Sequence, residues 1–329
     1  MLRLHEYRYH QPAALADALA LIAAHPGRAL PIAGGTDLMP NMKHGLFTPE
    51  HVVALRQIPE LHGIREEGGE LVIGAAETLT TVAEHPLVRR LFPSLARAAG
   101  LVAGPQLRNM GTIGGNLCLD TRCTYYNQSH FWRGALGYCL KKDGTVCHVT
   151  KVGKKCVAAN AADTPPVLMT LDATVELASR RGTRTVPVAD FYVADGIANT
   201  VRGWDEILTA VRVPLRAAAL HTGYQKLRQR AAIDFPLLMV AAAADLGGGV
   251  VRSLRVVVSA LGSRPRMVTG LDRVAEGKPL DAATVEAVAE RAFQQCHPLE
   301  NIIVDPDWRR AMVPVYVRRT LADLAPPSP

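Results

Sequence analysis

Cys123, Cys139, Cys147 and Cys156 follow the spacing C-x15-C-x7-C-x8-C, and Cys118 stands just upstream, so five of the six cysteines in this 329-residue chain lie between residues 118 and 156. Thiols grouped in this way can form a disulfide staple, a zinc site or an iron–sulfur site. Structural zinc sites pair their ligands in C-x2–4-C knuckles, and none of these three gaps is that short. The one gap that fits, C-x4-C from Cys118 to Cys123, requires Cys118 as a ligand. A 4Fe–4S cluster needs one thiolate at each iron corner and accepts ligands from a looped segment. His148, beside Cys147, reads as a supporting or surface residue rather than a ligand.

Two glycine segments also carry chemistry. Pro31-Ile32-Ala33-Gly34-Gly35-Thr36-Asp37-Leu38 places two glycines and a hydroxyl directly after a short apolar run. Thr112-Ile113-Gly114-Gly115-Asn116 repeats the theme, and both segments read as strand-like in context. Glycines there let backbone N–H groups approach an anion closely. Neither segment is a G-x-G-x-x-G dinucleotide fingerprint or a G-x-x-x-x-G-K-[ST] phosphate loop. Taken singly each also suits a tight turn; together they point to a pyrophosphate-bearing cofactor.

Composition narrows the setting. A hydrophobic fraction of 48% suits a globular protein with a sizeable core. The first residues, MLRLHEYRYHQPAAL, do not have the form of a signal peptide. No run approaches the roughly 18 apolar residues of a membrane span. A cytoplasmic location is the expectation, and disulfides are rare there. The net charge of +7 is concentrated: residues 121–156 hold seven Lys/Arg against one acid, Asp143. Lys141, Lys142, Lys151, Lys154 and Lys155 suggest a solvated basic face or a docking face for an acidic partner. Five aromatics between the first two cysteines of the quartet (Tyr125, Tyr126, Phe131, Trp132, Tyr138) could shield a cluster or form a small satellite core.

The elements that must position these residues read as mixed α and β. Periodicity predicts helices over 12–25, 86–100, 282–295 and 306–324. Strands are expected at 29–33, 52–55, 71–74, 173–178, 183–187 and 206–213, and beyond a boundary at Pro214, at 223–228, 237–245 and 250–261.

The motifs AGGTDL (33–38) and TIGGNLC (112–118) resemble those of the FAD-binding medium subunits of the xanthine oxidase family of molybdenum hydroxylases. The cysteine-bearing insertion after the second motif, from Asp120-Thr-Arg-Cys123 to Lys155-Cys156, resembles that of the β subunits of 4-hydroxybenzoyl-CoA reductases; most family members lack it. The resemblance spans essentially the whole chain. It implies an α+β fold: a two-subdomain FAD-binding domain of the PCMH/vanillyl-alcohol-oxidase type with a cluster-binding insertion, plus a C-terminal α+β domain whose sheet is packed by helices. The expected limits are residues 1–216 for the FAD domain, with a subdomain over about 1–55 and the insertion over about 120–157, then 217–329 for a C-terminal domain of the CO dehydrogenase flavoprotein type.

The resemblance also implies site residues. Residues 31–38 and 112–116 would contact FAD, as would Asp120, Asp163 and Lys226. Cys123, Cys139, Cys147 and Cys156 would hold a 4Fe–4S cluster, with Cys118 and Cys296 outside the ligand set. The implied function is electron relay between ferredoxin, the cluster, FAD and partner 2Fe–2S and molybdenum centres, in reductive dehydroxylation of 4-hydroxybenzoyl-CoA. The implied partners are a molybdopterin-binding large subunit and a 2Fe–2S small subunit in a dimer of heterotrimers, with neither nucleic acid nor membrane. The same parts would also serve a hydroxylase that oxidises an aldehyde or N-heterocycle, or a flavin oxidoreductase with a purely structural cluster. A more distant reading of the charge and cysteines is a zinc-bearing nucleic-acid-binding module.

Overall fold

A computed structural model describes residues 2–324. The chain begins with a three-stranded parallel sheet of β1 (Arg8–His10), β2 (Ala29–Ile32) and β3 (His51–Ala54), ordered β1-β3-β2. The helix Leu15–Ala24 packs on this sheet through Ala18, Leu19 and Ile22. Parallel strands present ligands at their carboxyl ends, and β2 runs directly into the Gly34-Gly35 turn.

Three imidazoles join the elements of this sheet. His51 Nδ1 lies 2.9 Å from His10 Nε2, and its ring stacks on His25 at 3.7 Å between centroids. Burial holds the His51 pKa below its ordinary 6.5, helped by His25, His10 and Arg8 and opposed by Glu50. Glu50 in turn pairs with Arg28. A histidine with a depressed folded pKa contributes stability above its unfolded pKa, and that stability is lost as the pH falls through about 6.5. Urea midpoints should therefore drop between pH 7.5 and pH 5.5, and His51→Leu should flatten that dependence.

The second sheet is antiparallel, with β4 (Ile64–Glu67), β5 (Glu70–Gly74), β6 (Thr174–Ser179), β7 (Gly182–Pro187) and β8 (Ile207–Pro214) in the order β4-β5-β8-β6-β7. The long connection from β5 to β6 carries short helices and both the second glycine segment and the cysteines. Residues 86–100 form two helices, Pro86–Leu91 and Pro93–Gly100, rather than one. Pro93 excludes the helical conformation at the residue before it, and Phe92 breaks the run at φ −137° while its ring is fully buried.

The third sheet, β9 (His221–Leu227), β10 (Leu238–Gly247), β11 (Val250–Ser259) and β12 (Arg266–Met267), is antiparallel in the order β12-β11-β10-β9. Strand side chains alternate between faces, and β10 uses both. Val240 and Ala242 pack toward the helices Ala282–Gln295 and Pro306–Ala322, whereas Met239 and Ala241 join the core of the preceding domain. The two domains thus share apolar contacts through one strand.

The cysteine insertion leaves and re-enters the fold at a single point. Arg122 and Ala159 exchange two backbone hydrogen bonds, of 2.8 and 2.7 Å. Of its five aromatics only Tyr126 is buried; Phe131 is 87% exposed and Trp132 is also exposed. Of the two readings offered for these aromatics, a shield of all five is not observed, whereas Tyr126 joins Leu46, Phe47, Cys123 and Cys139 in a small satellite cluster. The helix His130–Ala135 is one and a half turns long and turns its Phe131 and Trp132 side chains outward.

Candidate active site: a flavin cleft beside four thiols

A cleft of about 580 Å³ opens between the parallel sheet and the five-stranded sheet, within the size range of small-molecule and cofactor sites of about 300–1,000 Å³. Residues 31–38 form one wall, and Thr112, Gly114, Gly115 and Asn116 form another. The two glycine segments interlock. A Cβ at Gly34 would overlap the carbonyl oxygen of Met110, and Gly35 has φ +72°, a left-handed conformation that glycine adopts without strain. A Cβ at Gly114 would come within 2.8 Å of Ala75 Cβ. The backbone N–H groups of Gly34, Gly35 and Thr36 have no acceptor among the described residues. They form a donor cluster suited to a diphosphate.

The second segment is helical rather than strand-like. Ile113–Leu117 makes a single turn capped by Thr112, whose Oγ1 accepts from Gly115 N–H at 3.0 Å. The threonine supplies an N-cap, and the following glycines allow close backbone approach, so the strand reading of this stretch is corrected. Asn116 Oδ1 accepts from both Thr164 N–H and Thr164 Oγ1, at 3.1 and 2.8 Å, which fixes its side chain at the cleft.

Asp120 and Asp163 line the cleft, and each is held by a buried lysine. Lys141 Nζ donates to Asp120 Oδ1 at 2.6 Å and to Thr121 O at 3.1 Å, and lies 4.2 Å from the centroid of the Tyr126 ring. Tyr126 donates its phenol proton to Asp120 Oδ2 at 2.8 Å. Arg122 binds the Asp37 carboxylate and stacks over the Phe235 ring at 4.4 Å. Burial raises the Asp37 pKa, with Arg122 opposing it. Lys226 pairs with Asp163 at 2.6 Å and donates to Leu101 O at 3.1 Å. Burial raises the Asp163 pKa, with Lys226 and Tyr224 opposing.

Two residues assigned to FAD by resemblance lie behind the wall. Ile113 is packed in the hydrophobic core, and Lys226 reaches Asp163 from outside the cleft. Lys226 acts on the cleft through the carboxylate it holds.

The four thiols lie next to this cleft. Cys139, Cys147 and Cys156 are buried and Cys123 is half-buried; all are free of disulfides. Burial pushes the Cys123 pKa up to about 11, and Cys156, Cys139 and Cys147 each add to the rise, so the four are within electrostatic reach. Burial also raises Cys156, against an N–H from Ala158 and the charge of Lys141. Cys147 goes the other way. Burial opposes its ionisation, but the Thr150 hydroxyl and the N–H groups of Thr150, Val149 and Val157 hold its pKa below the ordinary value. Among the described residues no three His, Cys, Asp or Glu side chains converge tightly enough to share a single metal ion. His148 bonds the carbonyl of Tyr138 and lies tilted against the Tyr125 ring, 5.1 Å between centroids. Cys118 lines the cleft, while Cys296 is packed in the C-terminal core.

The basic face is smaller than the charge count suggests. Lys141 is buried on Asp120, Arg133 is buried on Asp143, and Arg122 is committed to Asp37. Lys141 therefore leaves the proposed docking face, where Lys142, Lys151, Lys154 and Lys155 remain partly or fully exposed. Arg122 and Phe235 were not singled out as site residues by the sequence. Adjacency to Cys123 was the only signal for Arg122, and Phe235 reaches the cleft from a remote segment.

A flavoprotein domain with an interlocked glycine cradle, followed by a helix-packed antiparallel sheet, is the class that this geometry defines. Residues 5–216 match the FAD binding domain in molybdopterin dehydrogenase, and residues 223–324 match the CO dehydrogenase flavoprotein C-terminal domain. The chain belongs to the FAD-binding family of the molybdopterin dehydrogenases. It is 30% identical over 316 residues to the carbon monoxide dehydrogenase medium chain of Hydrogenophaga pseudoflava, covering 96% of each chain. It is 29% identical to a putative xanthine dehydrogenase FAD-binding subunit of Escherichia coli, covering 96% of this chain and 94% of that one. The solved carbon monoxide dehydrogenase from H. pseudoflava superposes with a TM-score of 0.81 at 29% identity, covering 98% of both chains. Quinoline 2-oxidoreductase from Pseudomonas putida superposes at 0.80, with 25% identity and the same coverage. Among the described residues no helix is long and apolar enough to cross a membrane.

Proposed function

We propose that this chain is the flavo-iron–sulfur subunit of a molybdenum-containing reductase acting on 4-hydroxybenzoyl-CoA. It would work with a molybdopterin-binding large subunit and a 2Fe–2S small subunit in a dimer of heterotrimers, with ferredoxin as electron donor. The observation that carries the reading is the set of four disulfide-free thiols, three of them buried, on the segment beside the flavin cleft. Their number matches a 4Fe–4S cluster, which takes one thiolate per iron, and none of their gaps is the short knuckle of a structural zinc site. When bound, FAD supplies one- or two-electron chemistry and the cluster supplies one-electron chemistry.

The chain's own residues supply the binding and the environment. The free N–H groups of Gly34, Gly35 and Thr36 take the diphosphate, and Asn116, Asp120 and Asp163 fix the flavin's polar edges. Cys123, Cys139, Cys147 and Cys156 would each ligate one iron. The donors around Cys147 favour its thiolate before metal arrives and would tune the cluster through hydrogen bonds to sulfur. Lys141 spans the two sites, bonded to Asp120 on one side and lowering the pKa of Cys156 on the other.

The protein as isolated should show flavin absorption bands together with a broad iron–sulfur shoulder. It should carry about four irons per flavin beyond those of partner subunits. Cys139→Ser should lose that iron while keeping FAD. A colourless, zinc-bearing protein would overturn the reading. A second reading, oxidation of an aldehyde or N-heterocycle, draws on the dehydrogenases and the quinoline oxidoreductase that this chain resembles. Turnover of 4-hydroxybenzoyl-CoA with reduced ferredoxin, set against oxidation of such substrates, separates the two.

A further inference from the structure

Asn301 belongs to the loop between the two C-terminal helices and is fully buried, yet it makes contacts far from that domain's own core. Its carbonyl oxygen accepts from Thr124 N–H at 2.8 Å, and its Nδ2 donates to Val157 O at 2.6 Å. Thr124 follows Cys123, and Val157 follows Cys156. One residue of the C-terminal domain therefore holds the chain next to the first and the last of the four thiols. The neighbouring contact of Asn160 N–H with Gly262 O, 2.8 Å, runs between the same two regions.

Asn301 is seated in turn by Arg309. Its Oδ1 accepts from Arg309 Nη1 at 3.2 Å, and the rest of the guanidinium donates to Leu299 O, Leu237 O and Ala260 O at 3.2, 3.1 and 2.6 Å. Arg309 has no solvent exposure and no carboxylate partner among the described residues. Burying a cation without a counter-charge is expensive, and burial lowers the Arg309 pKa to about 10. A planar fork with several donors suits this task, because it fixes three carbonyls and one amide at once.

We infer that Asn301, seated by Arg309, is a positioning residue that sets Cys156 relative to Cys123 and so the fit of the thiol quartet to its cluster. The inference rests on the cluster reading above. It gives the C-terminal domain a part in the redox site that the flavin cleft alone does not require.

Asn301→Asp tests it in the full-length protein. The aspartate keeps an acceptor for Arg309 and the backbone contact with Thr124 but removes the donor to Val157 and faces that carbonyl with an oxygen. Three results are expected: FAD content at the wild-type level, with a urea midpoint lowered by no more than the loss of one buried hydrogen bond; Cys156 labelled about tenfold faster by a maleimide in iron-free protein; and fewer irons per flavin, with an altered EPR signature of the reduced cluster. Arg309→Lys, which keeps the cation without the fork, should give the same labelling change in weaker form. Wild-type labelling rates and an unchanged EPR signature in Asn301→Asp would overturn the inference. If the wild type itself takes up no iron, the cluster reading fails, and the labelling rates alone still decide the positioning role.

Discussion

Gly34→Ala yields a protein that no longer retains FAD and unfolds at lower denaturant. The Cβ would overlap the Met110 carbonyl, a backbone atom that cannot rotate away. Overpacking of this kind costs about 1–3 kcal/mol where side chains can give, and here the two glycine segments themselves must separate. Those segments carry the free N–H groups of Gly34, Gly35 and Thr36, so separation removes the diphosphate seat along with the packing. Flavin per polypeptide after gel filtration, and the urea midpoint, measure the two consequences. Gly27→Ala is the control: its Cβ would meet nothing within 4 Å, although its φ of +69° carries a small local cost. Retention of stoichiometric flavin by Gly34→Ala would show that the cradle does not depend on this approach.

Lys141→Met is the second large effect. Removing one partner of a buried pair leaves the other charge uncompensated and costs about 3–5 kcal/mol. Lys141 and Asp120 are both largely shielded from solvent, and the lysine also bonds the Thr121 carbonyl. The variant should lose stability near the lower end of that range and bind FAD more weakly. Adding Asp120→Asn should restore part of the stability, since the amide carries no stranded charge. A double-mutant cycle on urea midpoints reads the coupling. Additive effects of the two substitutions would mean that the pair is not a unit.

The longer strands were legible as apolar or β-branched runs bounded by glycine, proline or charged turns, most of them buried on both faces; the short or polar strands β1, β4 and β12 were not, because they carry no such run. Residues 86–100 read as one helix, since the amphipathic pattern continues across Phe92 and only Pro93 breaks it. Thr112–Asn116 read as strand-like because a one-turn helix leaves no periodic pattern. The glycine motifs and the cysteine quartet were visible because they are local. The partners that hold them were not. Lys141 looked like one more surface lysine, and its carboxylate lies 21 residues away. Lys226 was assigned to the flavin by resemblance, and its pairing with Asp163, 63 positions away, has no local signal. Asn301 and Arg309 carry no local signal at all, because their partners are the Thr124 N–H and the carbonyls of Val157, Leu237 and Ala260, all remote in sequence.

The paired hydrogen bonds between Arg122 and Ala159 bear on how separable the cysteine segment is from the cleft. Both ends of the cysteine segment sit at cross-strand distance, so a tight two-residue turn could close the gap in its place. Removal of residues 123–158 would preserve the chain path but take Lys141 and Tyr126 with it, leaving Asp120 at the cleft without the lysine and phenol that hold its carboxylate. A four-thiol segment closed at one cross-strand point is thus coupled to the flavin cleft through Asp120 rather than standing as an independent appendage.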